Sequence, residues 1–214
     1  MTELQPFDRS LFLAFEGLDG SGKTTQANLL SKTLAAVLDP GPLLLKEPTY
    51  GPAGLRLRQL ALGSDASLTA SEEMDLFLED RRHDVANNIN PALRNNRTVI
   101  IDRYILSNAA YQGARGRSDP KDILKANQSF PVPNLTFLLE LPLEKSLERI
   151  QKRGGDSTYF ENPTFLAKVK DIYDSIDYPG LVRIDADRDI AEIGGDILVR
   201  LRESAPALIP EELF

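Results

Sequence analysis

The chain has 214 residues, 42% hydrophobic and 27% charged, the balance of a globular protein that can bury a core. Thirty-two acids against 25 bases leave a net charge of −7, which disfavours sequence-independent binding to nucleic acid. The absence of cysteine excludes disulfides, thiolate metal sites and a cysteine nucleophile. No apolar run approaches the roughly 18 residues of a membrane span.

The first ten residues are polar and acidic and lack the basic and apolar regions of a secretory leader, so the expected address is cytoplasmic. A short apolar run, Leu11 to Phe15, reads as a strand. It enters Gly17-Leu18-Asp19-Gly20-Ser21-Gly22-Lys23-Thr24, a full G-x-x-x-x-G-K-[ST] loop. An amphipathic helix with Leu29, Leu30, Leu34 and Val37 follows. Glycines let a backbone wrap a phosphate with its N–H groups aimed inward. The helix N-terminus adds positive potential, Lys23 reaches the β- and γ-phosphates, and the Thr24 hydroxyl suits Mg²⁺.

Pro40-Gly41-Pro42 breaks the chain before a second strand, Leu43 to Leu45. The longest helical pattern runs from about Ser71 to Asn95, with Ser71 as expected cap and Glu72 and Glu73 near the positive end of the dipole. His83, the sole histidine, reads as an exposed helix residue. A third strand, Val99 to Ile101, ends in Asp102, well placed to hold Mg²⁺ beside the phosphate loop, and Arg103 adds a forked donor suited to phosphate. A fourth strand, Leu135 to Leu141, precedes a helix marked by Leu143, Leu147 and Ile150. Gly154 to Thr158 reads as a loop, and Leu181 to Ile184 as the last strand. Strands without in–out alternation, each followed by a helix-length connection, predict a parallel sheet covered on both faces, with ligands at its carboxyl edge. No linker interrupts the pattern, so one domain over residues 1–214 is expected, with a short lid around 149–160.

Three P-loop classes fit poorly. A GTPase switch needs N-K-x-D, which is absent; Asp177-Tyr178-Pro179-Gly180 matches D-x-x-G by letter but reads as a turn before the last strand. The adenylate-kinase type carries proline in its phosphate loop, and a P-loop motor is normally longer. What remains is a small nucleoside monophosphate kinase, and the chain resembles the thymidylate kinase family. The resemblance rests on Glu16 through Thr25, on Glu47-Pro48, and on Phe77 with Arg81. It continues with Asp102-Arg103-Tyr104, Ser107, Ala110-Tyr111-Gln112-Gly113 and Ile184-Asp185-Ala186.

The resemblance implies a three-layer α/β P-loop fold with a five-stranded parallel sheet in the order 2-3-1-4-5. It implies phosphorylation of dTMP to dTDP with ATP and Mg²⁺, and a homodimer. By the same resemblance, Asp19 accepts a hydrogen bond from the 3′-hydroxyl and Arg103 grips the acceptor phosphate. Phe77 stacks on thymine, and Arg81, four residues on and on the same helix face, donates to the base carbonyl. Ser107, Tyr111 and Gln112 line the acceptor site, and residues 185–186 the adenine side. Family members carry an extra base either beside the loop acid or in the lid. Gly20 stands beside Asp19 here, so the lid is expected to supply that charge through Arg149 and Arg153, although Asp156 to Tyr159 is not basic. Thr49-Tyr50-Gly51 also replaces a Gly-Gly pair after Glu47-Pro48. Another kinase of the same fold, or a P-loop regulatory ATPase switch, are the alternatives.

Overall fold

In the computed structural model, residues 10–61, 68–116, 118–154 and 162–209 are described. Five strands form one sheet in the order β2-β3-β1-β4-β5: β1 (Phe12–Gly17), β2 (Leu43–Lys46), β3 (Val99–Asp102), β4 (Leu135–Glu140) and β5 (Leu181–Asp185). All four pairings are parallel, so fold class and strand order agree with expectation. Most observed strands run one or two residues further toward their carboxyl ends than their apolar runs. The added residues include Glu16, Gly17, Lys46 and Asp102.

Alternate residues of β1 serve opposite layers, as the two-residue period of a strand requires. Leu13 and Phe15, with Leu11 just before the strand, pack with Leu30 and Leu34 of α1 (Lys23–Ala35) and with Ile197 and Leu201 of α9 (Ile190–Ser204). Phe12 and Ala14 face the other way, against Val85, Ile89 and Tyr104. On that second side, α5 (Ile105–Ala114) packs with α8 (Pro163–Ser175) through Leu106, Ala109, Ala110, Leu166 and Val169. The remaining helices are α2 (Pro52–Ala61), α3 (Ala70–Asp84), α4 (Asn90–Arg94), α6 (Pro120–Ala126) and α7 (Leu143–Arg153).

The long helical pattern at 71–95 departs from expectation in two ways. Its cap is Thr69, not Ser71: the Thr69 hydroxyl accepts from the Glu72 N–H while the Glu72 carboxylate accepts from the Thr69 N–H. A Thr-x-x-Glu spacing closes this reciprocal box, whereas Ser71 has Met74 at the matching position and cannot. A π-helical turn at Val85–Ile89 then divides α3 from α4, so the segment is two helices joined by one wide turn. Residues 177–180 do form the turn into β5, closed by the Leu181 N–H on the Tyr178 carbonyl at 3.1 Å. Of the expected lid, residues 155–160 lie outside the described residues, as does the Arg153 side chain.

The strand order reverses at β1, whose neighbours β3 and β4 lead to opposite halves of the sheet. A crevice at the carboxyl end of such a strand is where open α/β sheets bind ligands.

Candidate active site

Residues 17–22 form the loop at that crevice. Gly17 has φ 138°, and a Cβ there would lie 2.6 Å from the Leu139 carbonyl oxygen. Gly20 has φ 79°, and a Cβ would come 2.9 Å from the Ser146 carbonyl oxygen and 3.3 Å from Arg149 Cβ. The close approach of α7 and the left-handed backbone therefore disfavour a side chain beside Asp19. Ser146 Oγ donates to the Asp19 carbonyl at 2.5 Å. The Arg149 guanidinium spans from the Gly20 carbonyl (3.5 Å) to the Ala186 carbonyl (3.2 Å), tying the loop to the segment after β5.

Lys23 is buried, with Nζ 2.6 Å from the Leu18 carbonyl and 3.5 Å from Ser21 Oγ. Burial, then the nearby Arg103 cation, push its ammonium down to about 7, against the opposing pull of Asp19, Asp102 and Glu16. Thr24 Oγ1 donates to Asp102 Oδ2 at 2.5 Å. Burial pushes the Asp102 carboxyl up, but Lys23, Lys46, Arg103 and the Thr24 hydroxyl outweigh it and hold the group below its ordinary value. Asp102 Oδ1 is buried with no hydrogen-bond partner. A hard divalent cation takes oxygen ligands such as carboxylates, and an orphaned oxygen on a charged carboxylate next to a threonine hydroxyl fits one.

Next to the loop lies a cavity of about 270 Å³. Its lining includes every residue predicted for the acceptor: Asp19, Phe77, Arg81, Arg103, Ser107, Tyr111 and Gln112. Arg103 joins loop and cavity. Its Nη2 lies 2.5 Å from Asp19 Oδ1, its Nη1 3.1 Å from Ser107 Oγ, and its guanidinium 4.9 Å from the centre of the Tyr111 ring. The backbone at Arg103 is left-handed, with φ 73°, and its N–H donates to the Phe15 carbonyl at 3.0 Å. The Tyr111 hydroxyl donates to Asp19 Oδ2 at 2.9 Å.

Arg81 is deeper than a surface helix residue, at 1% exposure. Its Nε and Nη2 donate to Glu47 Oε2 at 3.0 and 2.6 Å, and its Nη1 reaches Asn127 Oδ1 and, at 3.5 Å, Asn108 Oδ1. Burial pushes the Glu47 carboxyl up to about 7 despite the Arg81 cation beside it.

Several neighbours of the site carry roles that the sequence alone did not assign to them. Glu16 is fully buried in β1: Oε1 accepts the N–H groups of Tyr104 (2.9 Å) and Leu106 (3.1 Å), and Oε2 accepts from the Ser107 hydroxyl. It thereby fixes the turn that carries Arg103. A lone acid in an otherwise apolar strand was the available signal. Glu73 accepts from Gln112 Nε2 at 3.1 Å and from Arg115 at 2.5 Å. Gln112 Oε1 in turn accepts from Asn108 Nδ2 at 3.2 Å. Lys46, at the end of β2, ion-pairs with Asp102 at 2.9 Å. Asn127 gave no local signal, because it meets Arg81 only through folding. Among the described residues no helix is long and apolar enough to cross a membrane.

Comparison with known proteins agrees with this architecture. A family model described as thymidylate kinase matches residues 15–197. A thymidylate kinase from Desulfotalea psychrophila is 40% identical over 193 residues, covering 89% of this chain and 94% of that protein. One from Xanthomonas campestris pv. campestris is 43% identical over 183 residues, covering 84% and 77% respectively. The solved thymidylate kinase structure from Candida albicans superposes with a TM-score of 0.80 at 25% identity, covering 94% of each chain.

Proposed function

The chain belongs to the thymidylate kinase family, and from that premise we propose that it transfers the γ-phosphoryl group of ATP to dTMP, giving ADP and dTDP on the way to dTTP. The observation that carries this reading is Arg103. One guanidinium faces both the phosphate loop, through Asp19, and the cavity, through Ser107 and Tyr111. It suits an acceptor phosphate held within reach of a donor phosphate.

In this mechanism an oxygen of the dTMP phosphate attacks the γ-phosphorus and the bond to the β–γ bridging oxygen breaks. No covalent enzyme intermediate is needed, because positioning and charge neutralisation carry phosphoryl transfer. Residues 17–22 and the start of α1 cradle the donor phosphates, and Lys23 turns toward them. Phosphate charge beside Lys23 keeps its ammonium protonated, against the burial that lowers it. Thr24 and Asp102 would hold Mg²⁺, which supplies charge neutralisation at the donor phosphates. Arg103 holds the acceptor phosphate, Asp19 accepts the 3′-hydroxyl, and Tyr111 and Gln112 line sugar and base. Phe77 stacks on the thymine face, while Arg81 donates to its carbonyl. Arg149 and Arg153 supply the charge that Gly20 cannot. A cytoplasmic homodimer belongs to the same proposal and rests on the family resemblance; sedimentation analysis tests the dimer.

The experiment is coupled ADP release from ATP-Mg with and without dTMP, followed by a panel of nucleoside monophosphates. Release should depend on an acceptor, with dTMP the best. Acceptor-independent release would identify a regulatory ATPase, and a different best acceptor another kinase of this fold.

A further inference from the structure

Lys46 closes β2 and stands directly opposite Asp102 in the parallel register of β2 and β3. Its ammonium lies 2.9 Å from Asp102 Oδ2 and 3.4 Å from Thr24 Oγ1. They belong to the two side chains to which the proposed function gives the metal, and Asp102 Oδ1, the oxygen without a hydrogen-bond partner, lies on the same carboxylate. The third edge of the triangle is the Thr24–Asp102 hydrogen bond, at 2.5 Å. A cation of this protein's own thus stands where the oxygens of a metal site converge. An ammonium and a divalent ion repel each other and compete for the charge of one carboxylate.

The lysine is also able to leave. Its side chain is 44% exposed, against 4% for Asp102, and a flexible four-carbon stem carries its charge. Beside it opens a second cavity, of about 420 Å³, lined by Thr24, Asn28, Lys46, Tyr50 and Asp102. Asp102 stays in place when the lysine departs, because it is buried at the end of the interior strand β3 and held by Thr24.

We infer that Lys46 guards the metal position. It neutralises Asp102 and keeps it aligned with Thr24, it opposes loading of a bare divalent cation, and it gives way when the metal arrives with nucleotide. The inference rests on the reading of Thr24 and Asp102 as the metal side of the site. Two effects favour exchange only in the nucleotide complex. Phosphate oxygens complete the coordination shell of the incoming ion, and they offer the displaced ammonium new anionic partners. Metal and nucleotide binding are therefore coupled through Lys46, and by linkage each strengthens the other.

The test uses Mn²⁺ as a spectroscopically visible probe, titrated by electron paramagnetic resonance onto the full chain with and without ADP. The proteins are wild type, Lys46→Met, Lys46→Arg and Lys32→Met, the last removing an equal charge from the far end of α1. Without ADP, Lys46→Met should bind Mn²⁺ about two- to fivefold more tightly than wild type, the range expected for losing a half-exposed ion pair. Lys46→Arg and Lys32→Met should stay near wild type. The tightening of Mn²⁺ by ADP should be smaller in Lys46→Met than in wild type, because no guard remains to be relieved. Equal or weaker Mn²⁺ binding by Lys46→Met overturns the inference, as does an equal gain in Lys32→Met, which would reduce the effect to net charge. Asp102→Asn separates the two levels. If it leaves Mn²⁺ affinity in the ADP complex unchanged, the metal reading itself fails and the guard falls with it; if it weakens that affinity, only the Lys46 variants decide.

Discussion

Arg81→Ala removes a guanidinium whose five N–H donors are nearly all engaged within the protein. Two go to Glu47 and two to Asn127 and Asn108, which leaves one Nη2 N–H for a ligand in the cavity. A hydrogen bond from a charged donor contributes about 1.5–3 kcal/mol, so kcat/KM for dTMP should fall roughly 10- to 150-fold. Cytosine presents an amino group where thymine has that carbonyl, so donor meets donor and dCMP gains nothing from Arg81 in the wild type. The dTMP-to-dCMP preference should therefore shrink by about the same factor. The substitution also strands the Glu47 carboxyl, which is 5% exposed and already has one oxygen without a partner. Breaking a buried pair costs about 3–5 kcal/mol, which for a chain of this size lowers Tm by roughly 6–20 °C. The double variant Arg81→Met/Glu47→Leu removes the stranded acid and should recover part of that loss without recovering the preference. The assays are kcat/KM for both nucleotides and thermal melting, on all three proteins. A folded Arg81→Ala enzyme with its preference within about twofold of wild type would refute the argument for base reading.

Three further outcomes follow from the same geometry. Lys23→Ala should melt near the wild-type temperature yet lose about 10²-fold or more in turnover, since its charge acts where phosphate charge redistributes; normal ADP release would remove the phosphate-loop assignment. Arg149→Ala and Arg153→Ala should each lower kcat by about 10²-fold with little change in the dTMP KM; an unchanged kcat in both would place the extra charge elsewhere. The pH dependence of stability has a definite sign. Folding raises the Glu47 pKa from 4.5 to about 7 by burial, so the folded state keeps a proton that the unfolded chain releases. That stability is fully present below about pH 4.5 and is lost as pH rises toward 7, by about 3 kcal/mol. Urea unfolding between pH 4.5 and 7.5 should show a shallower decline in Glu47→Gln than in wild type, and parallel profiles would contradict the assignment.

What could be read from the amino acids alone was what is contiguous. The phosphate loop is eight successive residues, and its strand and helix carry their own periodicities, so site and local structure coincide. Phe77 and Arg81 were legible as a pair because one helix turn aligns them, and both do line the cavity. The Thr69 cap was written in the same alphabet, as Thr-x-x-Glu, but Ser71 stood closer to the acids and drew the assignment. The partners of Arg81 were not legible. Glu47 is 34 residues away and Asn127 is 46, and no periodicity links them. Arg81, expected at the edge of the base pocket, is one of the most buried side chains. The π turn at Val85–Ile89 did leave a mark, Pro91 in the first turn of α4, because a proline within a helical pattern has no N–H to continue the ladder and breaks or kinks it. Lys46 looked like the polar end of a short strand, and only the pairing of β2 with β3 gives it Asp102 as a neighbour.

The left-handed backbone at Arg103 makes stability and activity competing selections at one position. A non-glycine residue held there costs about 1 kcal/mol or more, which glycine, and to a lesser degree asparagine, would recover. Random libraries sorted only for thermal resistance should accordingly enrich Gly or Asn at 103, and those survivors should be the inactive ones. Selection for growth that depends on this enzyme to form the reaction product would hold arginine against that drift. Relief of backbone strain thus falls on a residue that the proposed reaction needs.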